Sequence, residues 1–201
     1  MKKFFHEYSY NIVKMFVNQF AISIFGVSLT FATTSAHGEA EGFDTLTVVV
    51  SLLSVLFYLF LIYTLSWEIG AKDKISVDVG KKPYKPHLGI LLSLMANIPN
   101  IVAALFYLFA TLIKSENMLF VVRLVATLIQ GMYFGIITAV SLPIGNTYVQ
   151  LNALWPTFFI MVIPAMLTSW LAYYLGCKNI RLFAFLTEKP KADGEAPKIK
   201  K

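Results

Sequence analysis

Apolar residues fall in five long runs, at 16–34, 46–67, 88–113, 119–140 and 156–176, separated by short polar connections. A bilayer core takes about 20 apolar residues per crossing helix, and a helix satisfies its own backbone there. The pattern therefore predicts an all-α, multi-pass transmembrane helix bundle of about five hydrophobic segments. The bundle occupies 15–183, between an amphipathic N-terminus at 1–14 and a basic tail at 184–201. Charge is absent in blocks, with no Asp, Glu, Lys or Arg in 15–38, 45–67 or 124–177.

The two ends read differently from the middle. Residues 1–14 mix Lys2, Lys3, Glu7 and Lys14 with Phe4, Phe5, Tyr8 and Tyr10, which suits a helix lying in the membrane interface. The first run closes on Thr34-Ser35-Ala36, a signal-peptidase-like triplet. So long a charged region and apolar stretch favour an uncleaved anchor, with cleavage as the alternative. From Thr187 onward the tail is Lys, Glu, Pro, Ala, Gly and Asp, with too little to bury for a fold, and is expected to be disordered.

Charge then orients the runs. The connection 35–45 holds Glu39, Glu41 and Asp44 without a Lys or Arg, and so faces out. The connection 70–87 carries Lys72, Lys74, Lys81, Lys82 and Lys85 against Asp73 and Asp78, and is expected to be cytoplasmic. Within it Ile75, Val77 and Val79 alternate before Gly80, so a short turn or strand pair is conceivable there. Run 88–113 has Asn97-Ile98-Pro99-Asn100 at its middle and admits two readings. As a kinked span it would carry the basic tail outside; as a re-entrant hairpin turning at 97–100 it keeps every basic cluster inside. The charge rule leans to the hairpin, or to another device giving both termini one side. Residues 141–155 read as an uncharged loop with Pro143, Gly145, Asn146, Gln150 and Asn152.

Composition confirms the class: 57% hydrophobic and 14% charged residues, with mean hydropathy +0.67, against about a quarter charged in soluble domains. The net charge of +6 sits between runs and at the termini, so it reads as topology and contact with anionic lipid, not nucleic acid.

Few residues invite chemistry. Glu68 and Arg123 border or enter apolar runs and are a candidate intramembrane charge pair, with snorkelling to the headgroups as the plainer reading of Arg123. Asn97, Asn100 and Gln130 are candidate contacts for a small solute or ion, because a broken helix frees polar groups at mid-membrane. Gly131 and Gly135, four apart, let another helix approach, within the chain or from a partner or second copy. Asn18 and Gln19 are expected to face the bundle. Enzyme signatures are missing: His6, His37 and His87 are far apart, and neither an H-E-x-x-H helix, a G-x-S-x-G elbow nor a phosphate-cradling glycine loop occurs. The single cysteine, Cys177, excludes an intrachain disulfide and a cysteine metal site. No catalytic residue, metal or cofactor is expected.

The run Ser66-Trp67-Glu68-Ile69-Gly70-Ala71-Lys72-Asp73, followed by Ala96-Asn97-Ile98-Pro99-Asn100, resembles small polytopic inner-membrane proteins that recur in Gram-positive bacteria. That resemblance covers about the middle third of the chain and implies a plasma-membrane location, with no activity or site residues. In size the chain is also similar to substrate-capturing subunits of energy-coupling transporters, without their helix motifs. The expected function is a small transporter component or permease-like protein. A non-catalytic scaffold or regulator acting through helix contacts is the alternative.

Overall fold

The computed structural model describes residues 2–37 and 45–182. The acidic residues 39, 41 and 44 and the tail beyond 182 lie outside them, and with them the expectations made for those stretches. In chain order the elements are α1 (Lys2–His37), α2 (Thr45–Asp78), α3 (Leu88–Ala96), α4 (Ile98–Ile113), α5 (Glu116–Ile129) and α6 (Phe134–Ala139). Strands β1 (Ser141–Ile144) and β2 (Thr147–Gln150), then α7 (Trp155–Ile160) and α8 (Ile163–Cys177), complete the order. Three apolar helices are long enough to cross a membrane, Phe4–Ser35, Thr45–Asp78 and Trp155–Cys177; two bent pairs, α3–α4 and α5–α6, would raise the number to five.

Three local expectations are corrected. The N-terminal stretch is no separate interfacial helix, because α1 runs unbroken for 36 residues, about 54 Å at the helical rise. Its Tyr8 and Met15 are seven apart and both buried, so the first turns stack on the bundle. Nor do Ile75 and Val77 enter a strand, since α2 continues to Asp78. Ion pairs one turn apart, Lys72 with Glu68 at 2.6 Å and Lys74 with Asp78 at 3.4 Å, suit that extension. Gly80 stops it: at φ +73° it lets Lys81 N–H reach Ser76 O, the closing bond of a Schellman turn. Finally, residues 141–150 are not a loop but an antiparallel hairpin pairing Ser141 with Gln150 and Ile144 with Thr147. Gly145, at φ +63°, and Asn146 make its two-residue turn. Pro143 is tolerated because a two-stranded hairpin has only edges.

The bundle is apolar outside, and its largely apolar core carries a stripe of polar residues. The buried face of α2 carries Thr47, Ser51, Ser54, Tyr58, Ser66 and Asp73, at spacings that keep them on one side of a helix. Leu52, Leu53, Leu56 and Phe57 occupy the opposite, exposed side. Against that stripe α1 turns Gln19, Ser23 and Thr30 and α8 turns Ser169, while Ser93 of α3 and Asn100 of α4 are buried elsewhere in the bundle. Small residues allow the approach. A Cβ on Gly70 would strike the backbone of Tyr173, one on Gly176 that of Trp67, and one on Gly89 the carbonyl of Ser169. Ser66 and Ser169 hydroxyls pair at 2.8 Å between α2 and α8, and Ser169 Oγ lies 2.7 Å from Gly89 O, joining α8 to α3.

Candidate functional site: a polar interior closed by a buried carboxylate

The two bends meet this interior. At Asn97 the axes of α3 and α4 differ by 59°, a bend that fits either a broken span or a re-entrant segment. Its physical reason lies in the backbone: Asn97 N–H bonds Ser93 O at 2.9 Å, and Ile101 N–H bonds Asn97 O at 3.0 Å, so the helical ladder is interrupted only locally. Pro99 cannot donate to the preceding turn, which opens the bend. The sharper break is at Gln130, where α5 and the segment 131–139 meet at 88°. Sequence reading did not expect it, because no proline marks it.

Amide orientation at both breaks is set by backbone carbonyls. Asn97 Nδ2 donates to Ser93 O at 2.9 Å, so its Oδ1 accepts from Asn100 Nδ2 at 2.8 Å. That leaves Asn100 Oδ1 free. Gln130 Nε2 donates to Phe158 O at 3.0 Å and leaves Gln130 Oε1 free. Tyr58, whose hydroxyl faces Asn97 and Tyr133, belongs to the same region. Among the described residues, the buried side-chain atoms without a hydrogen-bond partner include Gln19 Oε1, Tyr58 Oη, Asn100 Oδ1, Gln130 Oε1 and Tyr133 Oη. Buried polar atoms are otherwise nearly always paired, so each of these marks a position where water or another polar partner would be accommodated.

At one end the polar stripe closes on Asp73, a buried acid. Its Oδ2 accepts from the Tyr8 hydroxyl at 2.8 Å and from the Tyr173 hydroxyl at 3.1 Å, while Lys82 Nζ lies 3.3 Å from Oδ1. Lys82 also pairs with Glu7 and stands 5.5 Å from the centre of the Tyr8 ring. A pocket of about 160 Å³ lies here, lined by Glu7, Tyr8, Asp73, Lys82, Lys85 and Tyr173 among others. Four parts of the chain, α1, α2, the 79–87 connection and α8, thus converge on one carboxylate. Sequence reading counted Asp73 as a loop charge among lysines. Continued helical spacing from Ser66 and Gly70 would have put it on the buried face.

Compared with protein families, curated proteins and solved structures, this chain matches none.

The remaining expected site residues are placed as follows. Glu68 and Arg123 do not meet. Glu68 is bound to Lys72 on an exposed turn, whereas Arg123 Nε donates to the Tyr107 hydroxyl at 3.1 Å, which in turn donates to Asn152 O at 3.1 Å. Because α5 begins at Glu116, Arg123 lies two turns inside it, and a neutral phenol with a backbone carbonyl takes the place of an acid partner. Gly131 and Gly135 are spent inside the chain. A Cβ on Gly131 would strike Ser23 O and Val27 of α1, and one on Gly135 would come within 2.7 Å of Thr47 O and 2.9 Å of Ser51 Cβ of α2. Gln19 is buried and Asn18 half-buried.

Proposed function

We propose that this chain is a small permease-like membrane protein that passes or binds a small polar solute or cation through its polar interior. The observation carrying this reading is the presence of unpartnered buried acceptors at Gln19, Asn100 and Gln130, together with the unpartnered Tyr58 and Tyr133 hydroxyls. Carboxamide oxygens and phenols are uncharged hydrogen-bonding groups of the kind that can receive a dehydrated monovalent cation or a donor-rich neutral solute. Asp73, at the end of the stripe, would attract a cation toward it.

A topology goes with the reading. Helix α3 starts beside Asp73 and α4 continues away from it past Tyr107, which is level with Asn152. Helix α5 then returns to Gln130 at the level of Phe158, and α6 leaves again with Gly135 against Thr47. In this topology α5–α6 is the half-entering element, and α1, α2, α3–α4 and α7–α8 cross. Both 79–87 and 178–182 then share the Asp73 side, which the positive-inside rule makes cytoplasmic in a plasma membrane. The alternative, a scaffold acting through helix contacts, loses its glycine face to packing within the chain.

The test is flux into proteoliposomes of Na⁺, K⁺, methylammonium and glycerol. One of them should enter faster than into protein-free vesicles, and Asn100→Leu with Gln130→Leu should abolish that excess without lowering the unfolding temperature. Equal flux for all four with and without protein, and no reaction of a cysteine at Ser54 or Ser93 with a small hydrophilic thiol reagent, overturn the reading.

A further inference from the structure

Where the 79–87 connection enters α3, a groove of about 540 Å³ runs from Tyr84, Lys85 and His87 along Ile90, Leu91 and Leu94. Its two ends differ in chemistry. The connection end is basic and lacks any Asp or Glu, and the helix end is wholly aliphatic. Lys85 makes no ion pair within 4 Å among the described residues, although it also borders the Asp73 pocket and its charge acts on that carboxylate. Helix α3 also opens without a side-chain cap on its first-turn N–H groups, adding positive potential at the same end.

The level of the groove is fixed by aromatic residues. Trp170 and Tyr174 of α8 stack at 6.5 Å, and a Cβ on Gly89 would fall 2.9 Å from Trp170 Cα, so Trp170 lies beside the first turn of α3. Trp67 is held by its indole N–H to Ile180 O at 2.8 Å, with Arg181 4.6 Å from its ring centre. Aromatic belts of this kind sit at the headgroup boundary. Basic groups thus face the headgroup layer while Leu91 and Leu94 face the acyl layer.

We infer that this groove binds one anionic phospholipid, its phosphate between Lys85 and His87 and an acyl chain along Ile90, Leu91 and Leu94. The charge of the groove selects an anionic headgroup, and its aliphatic length requires a lipid over a soluble anion. This inference is independent of the transport reading.

The experiment uses full-length, delipidated protein in detergent, titrated with dioctanoyl phosphatidylglycerol or dioctanoyl phosphatidylcholine and followed by native mass spectrometry. One phosphatidylglycerol should bind at least about fivefold more tightly than phosphatidylcholine. Lys85→Ala with His87→Ala should erase that preference, Lys81→Ala on the same connection should leave it, and Leu91→Ser with Leu94→Ser should weaken both lipids. The inference is overturned by equal affinity for the two lipids, by a loss for Lys81→Ala as large as that for Lys85→Ala, or by competition from glycerol phosphate at matched concentration. A lipid-dependent rise in unfolding temperature, measured on every variant, separates loss of binding from loss of folding.

Discussion

The Tyr8 hydroxyl donates to the Asp73 carboxylate at 2.8 Å across 65 residues of sequence, and Tyr173 donates to the same oxygen from 100 residues further on. A buried acid is costly unless its lone pairs are filled, so these phenols and Lys82 make Asp73 tolerable inside the bundle. Tyr8→Phe should lower stability by about 1.5–3 kcal/mol, the range for a hydrogen bond to a charged group. Because Tyr8 and Tyr173 share one oxygen, the double Phe variant should depart from the sum of the singles. Thermal unfolding in nanodiscs measures this, and strict additivity would show that the two phenols act independently.

Glu68 and Arg123 provide a second check. In a double-mutant cycle with Glu68→Gln and Arg123→Gln the coupling should be zero within error, since each has its own partner. Glu68→Gln alone should change stability by about 0.5 kcal/mol or less, as the Lys72 pair is exposed. By contrast, Arg123→Gln and Tyr107→Phe should couple by about 0.5–3 kcal/mol. Arg123→Lys should not restore the wild-type value, because the bond is made by the guanidinium Nε.

Gly131→Leu or Gly135→Leu should destabilise the chain by about 1–3 kcal/mol or more, since the added atoms meet backbone that cannot yield. Light scattering after size exclusion should show an unchanged mass. A change of mass with an unchanged unfolding temperature would instead assign these glycines to a contact between molecules.

The proposed topology is open to thiol labelling in a Cys177→Ser background, with single cysteines at Lys81, Ser115 and Asn146. An impermeant reagent should modify Ser115 and Asn146 from the same side and Lys81 only from the other. Labelling of Ser115 and Asn146 from opposite sides would make α5–α6 a complete crossing.

By itself the sequence determined an all-helical chain with apolar runs long enough to cross a membrane, and it marked Asn97 to Asn100 as a place where a helix breaks. Both follow from local chemistry, since burial in lipid demands long apolar runs and proline or paired amides disturb a helix wherever they stand. Its charge distribution also called for some device placing the basic segments together and put that device at residues 88–113, whereas the proposed topology puts it at α5–α6. Only tertiary structure decided the angles, 59° at Asn97 and 88° at Gln130, because a bend is set by what packs on either side of it. The same holds for Asp73, which local sequence shows as one charge among lysines. Its burial exists only because Tyr8, Lys82 and Tyr173 are carried to it by three other segments of the chain. Glycines 70, 89 and 176 are likewise ordinary in sequence and become contact points only where two backbones cross. Periodicity tells which face of a helix turns inward, and long-range packing decides what that face meets.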